Sequence, residues 1–177
     1  MNGEIAAILA MDGIATGAIY VLLAIGFVLI FAVTRVVFVP FGDIAAFTAL
    51  TLAALENKQL PGTVGLVAAL AGLAMLAELI AILRVGAFSR IPRAVFFYLV
   101  LPLLPAAAVW LTRGVLLPMP ARIVLAIAVI MPIAPLLDRI VFRPIADGSV
   151  LLLLIVALAL HYALAGLGLL FFGPEGV

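Results

Sequence analysis

Between Asp12 and Arg35 the chain runs 22 residues, 13–34, without a charged side chain, and further uncharged runs follow at 44–55, 59–77, 94–112, 123–137 and 148–174. About 20 apolar residues in a helix cross a hydrocarbon core of about 30 Å, so these runs constrain the architecture more than any other feature. Composition agrees: 69% of the residues are hydrophobic and 10% are charged, too few to wet the exterior of a soluble domain. The sequence therefore predicts an all-α, polytopic helical membrane protein. Its single transmembrane domain, 1–177, has spans at about 13–34, 41–55, 63–83, 94–112, 121–137 and 150–172. Spans on this scale leave no room for a soluble catalytic domain.

Breaks and charges refine the plan. Pro40 interrupts the chain ahead of Asp43, so 41–55 is either a short tilted span or a broken, re-entrant one. Pro102 with Pro105, and Pro132 with Pro135, place a Pro-x-x-Pro pair in each of two spans, where the freed carbonyls need water or a neighbouring helix. If every segment crosses, Arg35, Arg84, Arg90, Arg93, Arg139 and Arg143 share one side, and Lys58, Arg113 and Arg122 the other. The positive-inside tendency then puts the arginine-rich side in the cytoplasm and the N-terminus outside.

Small residues indicate packing faces. Gly13 and Gly17, with Gly26 further along, would let another helix approach the first span, and Gly65, Ala68, Ala69 and Gly72 would do the same for the third. Thr16 and Tyr20 lie on an adjoining stripe of the first span. His161 falls near the middle of the last span, where an ionisable group is costly. It either bonds a neighbouring backbone carbonyl or lines a path. Asp43 is placed to cap the helix that follows it or to contact a substrate. Glu78 lies near the end of its span, positioned to reach the interface or to pair with Arg84. The candidate path-lining residues are thus Thr16, Tyr20, Asp43 and His161.

The chain has no cysteine and one histidine, which argues against a tetrahedral zinc site and a thiolate nucleophile. No Gly-x-x-x-x-Gly-Lys-Ser/Thr loop is present, so no nucleotide hydrolysis by that route is expected of it. The formal net charge of +1 brings no polybasic segment for nucleic acid. Catalytic, cofactor and metal sites are all expected to be absent.

Two blocks carry a resemblance. The stretch Asp12-Gly13-Ile14-Ala15-Thr16-Gly17-Ala18-Ile19-Tyr20-Val21-Leu22-Leu23-Ala24-Ile25-Gly26-Phe27, continuing to Phe41-Gly42-Asp43, resembles the opening of the permease subunits of branched-chain amino acid ABC importers. Phe142-Arg143-Pro144-Ile145, an apolar span, and Phe172-Gly173-Pro174-Glu175 resemble a second block of that family. The motif residues are Gly42, Arg143, Pro144, Gly173 and Pro174. The chain departs from the family at Phe38-Val39-Pro40-Phe41, where polar residues are usual, and at Ala157-Leu158-Ala159 and His161 in the last span. The resemblance implies the N-terminal half of a multi-pass permease in a bacterial inner membrane. Its implied partners are a second permease subunit, cytoplasmic ATPase subunits that use ATP, and a periplasmic substrate-binding protein, all within the lipid bilayer. The contrasting expectation is a helical scaffold or an inactive permease copy that transports nothing.

Overall fold

A computed structural model of the chain describes residues 3–35, 37–86, 88–112 and 117–173. Among them there is no strand. Six helices follow in order: α1 Gly3–Thr34, α2 Phe41–Glu56, α3 Gly62–Val85, α4 Phe88–Leu111, α5 Met119–Ile145 and α6 Val150–Phe172. All except α2 are long and apolar enough to cross a membrane, and the chain is a multi-pass helical membrane protein.

The helices end where the backbone leaves helical space. Gly86 after α3 and Gly173 after α6 take left-handed φ values of 72° and 80°, a conformation glycine adopts without a Cβ clash. Ser149 opens α6 by accepting the Leu152 N–H at 3.2 Å, a side-chain N-cap. Pro174 and Arg113 lie outside the described residues.

Every helix except α6 is longer than its uncharged run. α1 begins at Gly3 and carries Glu4 and Asp12 within the helix, and α5 continues past 137 through Asp138, Arg139 and Arg143. Charge marks the end of an apolar run but does not stop a helix, because exposed or paired charges leave the backbone hydrogen bonds intact.

The segment at 41–55 lies within one helix, α2, and the irregular backbone lies ahead of it at 37–40. Phe38 and Val39 pack with Phe142, Leu153 and Ala157, Asp43 meets His161, and Phe47 stacks on Phe172 with ring centroids 5.8 Å apart. The segment therefore runs parallel to α6, from the first half of that helix to its end. Its helical part is unbroken for 16 residues and about 24 Å long, shorter than the hydrocarbon core. A non-helical approach precedes it, and Pro40 there is fully buried. Irregular backbone at membrane depth needs that protein cover.

α3 is the centre of the bundle and packs against α2, α4, α5 and α6. Its buried stripe is Leu66, Val67, Leu70, Ala71 and Ala74, which follows the helical repeat. The expected small-residue face is corrected: Gly65, Ala68 and Ala69 are exposed, and nothing approaches Gly72. Of the two glycines, Gly65 meets a neighbour, the Phe171 ring. Branched side chains and alanines share this buried stripe.

One polar contact stitches α2 to α3. The Thr51 hydroxyl donates to the Phe47 carbonyl at 2.6 Å, so the Thr63 hydroxyl, 2.8 Å away, must be the donor to Thr51. Both residues are fully buried. Thr51→Val is expected to cost about 1 kcal/mol, read as an earlier midpoint in detergent-induced unfolding. An unchanged midpoint would show that the contact contributes nothing.

The prolines shape α4 and α5. In α4 the Leu101 N–H bonds the Phe96 carbonyl, five residues back, and in α5 the Arg143 N–H bonds that of Asp138. Each widened turn ends immediately before a proline, Pro102 or Pro144. Proline supplies no N–H and its ring crowds the carbonyl four residues earlier, so the preceding turn opens to a π bulge. At Met131 and Pro132 α5 loses its regular helix altogether, then resumes at Ile133.

α1 stands apart, with no buried residue in its 32. It meets the rest of the chain at Gly26, where the Phe41 ring lies so close that a Cβ would fall 2.5 Å from it. Gly13 and Gly17 have open space around them.

Candidate functional site

The sequence singled out Asp43 and His161 separately, and the fold joins them. Asp43 is the third residue of α2, within the first turn, where the free N–H groups and the helix dipole favour a negative charge. Pro40, not Asp43, holds the N-cap position, and no side chain caps this helix. The expected capping role is therefore corrected: the carboxylate points to α6. Its Oδ2 lies 2.7 Å from His161 Nδ1.

Nδ1 is committed to Asp43, and Nε2 is left for another partner. Asp43 also replaces the backbone carbonyl expected as the partner of the imidazole. The Asp43 side chain is 13% exposed and that of His161 is 37% exposed. One member is thus enclosed while the other remains accessible. His161 is near the midpoint of α6, a helix long and apolar enough to cross a membrane, so the pair lies at mid-height of that helix.

The other predicted path residues do not join this pair. Thr16 and Tyr20 are exposed on α1, where every side chain from Glu4 to Leu22 is exposed apart from the Gly17 position. Gly42 is exposed at the start of α2. Arg143 reaches the Tyr98 hydroxyl at 3.5 Å, and Pro144 belongs to the short 3-10 turn that ends α5. Gly173 terminates α6.

A second polar centre was not foreseen in its true form. Glu78 of α3 pairs with Arg139 of α5, Oε2 to Nε at 2.5 Å, and both side chains are largely enclosed. The expected partner, Arg84, is exposed on the last turn of α3. Glu78 and Arg139 lie 61 residues apart, so no local spacing rule could join them. The signal available was that both fall close to span ends on the arginine-rich side.

This ion pair borders a cavity of about 1020 Å³ between α3, α4 and α5. Pro102, Pro105, Pro132 and Pro135 all line it. Their short rings face the space where longer side chains would fill the gap between two helices. The residues four positions earlier, Tyr98, Leu101, Ala128 and Met131, line it as well, and their carbonyls have lost the ordinary helical donor. Neither Asp43 nor His161 borders the cavity, so the two polar centres are separate places in the bundle.

Comparison of the chain with protein-family models, with curated proteins and with solved structures finds no match.

Proposed function

We propose that this chain is a membrane-spanning permease subunit of an ATP-driven importer, forming part of the path for branched-chain or related amino acids. The observation that carries the reading is the Asp43–His161 pair. It brings together residues 118 apart in sequence, deep within a span, and leaves the imidazole partly open. Ionisable groups at that depth are costly and mark pathways by default. A carboxylate beside an imidazole can receive the ammonium of a zwitterionic amino acid, while Nε2 offers a second hydrogen-bonding atom.

The exposed length of α1 supports the partner assignment. A helix with this much uncovered surface, including Thr16 and Tyr20 beside Gly13 and Gly17, suits contact with a second permease subunit. The substrate class and the bacterial inner membrane rest on the two sequence blocks that resemble importer permeases. In such an assembly the helices enclose a cavity that faces alternate sides as the partner ATPases close and open. The free energy comes from ATP used by those partners.

The test is uptake of labelled leucine into vesicles holding this chain with its ATPase and second permease subunits, supplied with the binding protein. ATP-dependent uptake is expected. Asp43→Asn and His161→Ala should each lower it about tenfold, the factor matching a lost contact of about 1.4 kcal/mol, at equal protein levels. Absence of ATP-dependent uptake by the assembled complex would overturn the importer reading in favour of a non-transporting scaffold. Uptake unchanged in both variants would remove the pair from the path.

A further inference from the structure

The cavity between α3, α4 and α5 is polar at one end and apolar along its depth. Arg90 and Arg93 stand at the start of α4, while Arg139 and Arg143 stand near the end of α5. These are consecutive spans, so the start of one and the end of the other lie at the same face of the membrane. Glu78, near the end of α3, is at that face too. Deeper in, the wall passes through Phe97, Leu101, Pro105, Ala128 and Met131.

Charge is unbalanced at the polar end. Glu78 is committed to Arg139. That leaves Arg90, Arg93 and Arg143 against Asp138 among the lining residues. The guanidinium of Arg93 lies 5.7 Å from the centre of the Phe97 ring, and Arg143 is held towards the Tyr98 hydroxyl. Arg90, Arg93 and Arg143 are exposed, so their charges are available to a ligand. Guanidinium groups match phosphate oxygens in a two-pronged geometry that a single ammonium cannot supply.

We propose that this cavity binds an anionic phospholipid, with the headgroup phosphate among Arg90, Arg93 and Arg143 and an acyl chain along the apolar wall of α4 and α5. A soluble anion would use the arginine end and leave the apolar depth unmatched. A zwitterionic lipid would match the depth and leave the positive excess uncompensated. An anionic lipid matches both, and it is part of the medium that surrounds these helices. Basic pockets between spans near the cytoplasmic face suit such headgroups. This proposal is independent of the transport reading, because the Asp43–His161 pair does not border the cavity.

The experiment is lipid retention by the full-length chain in neutral detergent, measured by native mass spectrometry with phosphatidylglycerol and phosphatidylcholine of matched acyl chains. Retention of phosphatidylglycerol should exceed that of phosphatidylcholine about tenfold. The double variant Arg90→Gln/Arg93→Gln should lose most of that preference. Arg84→Gln, an exposed arginine that does not line the cavity, should keep it. In a third arm, glycerol 3-phosphate should fail to displace the bound lipid at equal concentration. Equal retention of the two lipids, an undiminished preference in the double variant, or equal loss in Arg84→Gln would each overturn the proposal. Displacement by glycerol 3-phosphate would make the site one for a soluble phosphate, which also overturns it.

Discussion

Arg139→Ala is expected to destabilise the protein by about 3 kcal/mol or more. Its side chain is 12% exposed and its guanidinium holds the carboxylate of Glu78, whose side chain is 19% exposed, at the boundary between α3 and α5. Removing one member strands the other charge where little water reaches it, and that penalty exceeds the value of the contact itself. The double variant Glu78→Gln/Arg139→Gln removes both charges and should recover much of the loss, because desolvation of the two ions disappears along with their attraction. Unfolding midpoints in a titration of mixed micelles with a denaturing detergent would report both effects. Parent-like stability of the single variant would show that the pair is energetically idle, and a double variant no better than the single would refute the penalty of a stranded charge.

The second large effect belongs to Gly62. A Cβ at this position would lie 2.3 Å from the Phe171 carbonyl oxygen and 2.8 Å from its carbon. These are backbone atoms of α6, so no rotamer change can relieve the clash. The start of α3 and the end of α6 would have to separate. Overpacking of this kind costs about 1–3 kcal/mol, and Gly62→Ala should lie towards the upper end. Gly72→Ala is the matched control: it sits in the same helix with nothing within 4 Å of the added methyl. Its effect should be neutral or stabilising, by up to about 1 kcal/mol, since alanine favours the helix over glycine. Equal behaviour of the two variants in the same titration would refute the close contact between α3 and α6.

The span plan was legible because it depends on one variable, the absence of charge. Runs at 63–83 and 150–172 became Gly62–Val85 and Val150–Phe172 almost unchanged. Packing faces were much less legible. In water, a helix shows its buried side by contrast with its polar side. Here lipid and protein interior are both apolar, and the contrast disappears. Glycine and alanine spacing was the remaining guide, and it pointed to Gly13 and Gly17, which have open space around them, and to Ala68, which is exposed. The packed stripe of α3 is set instead by Leu66, Val67 and Leu70.

The candidate site divides in the same way. Asp43 and His161 could each be found from cost alone, since an ionisable residue among apolar neighbours needs a reason. That they meet depends on the path of residues 37–40 beside α6, which has no local signature. Glu78 and Arg139 show the same limit. Both were visible as charges near span ends, and their pairing is a property of the bundle.

The Glu78–Arg139 pair also imposes an order on biosynthesis. Ribosomes add roughly 5–20 residues each second, so the 61 residues between the two take about 3–12 s to make. For that interval α3 is in the translocation machinery or the bilayer with its carboxylate unmatched. The contact between Gly62 and Phe171 closes later still. The central helix, third of the six in order, thus gains its last contacts only when α5 and α6 have been made.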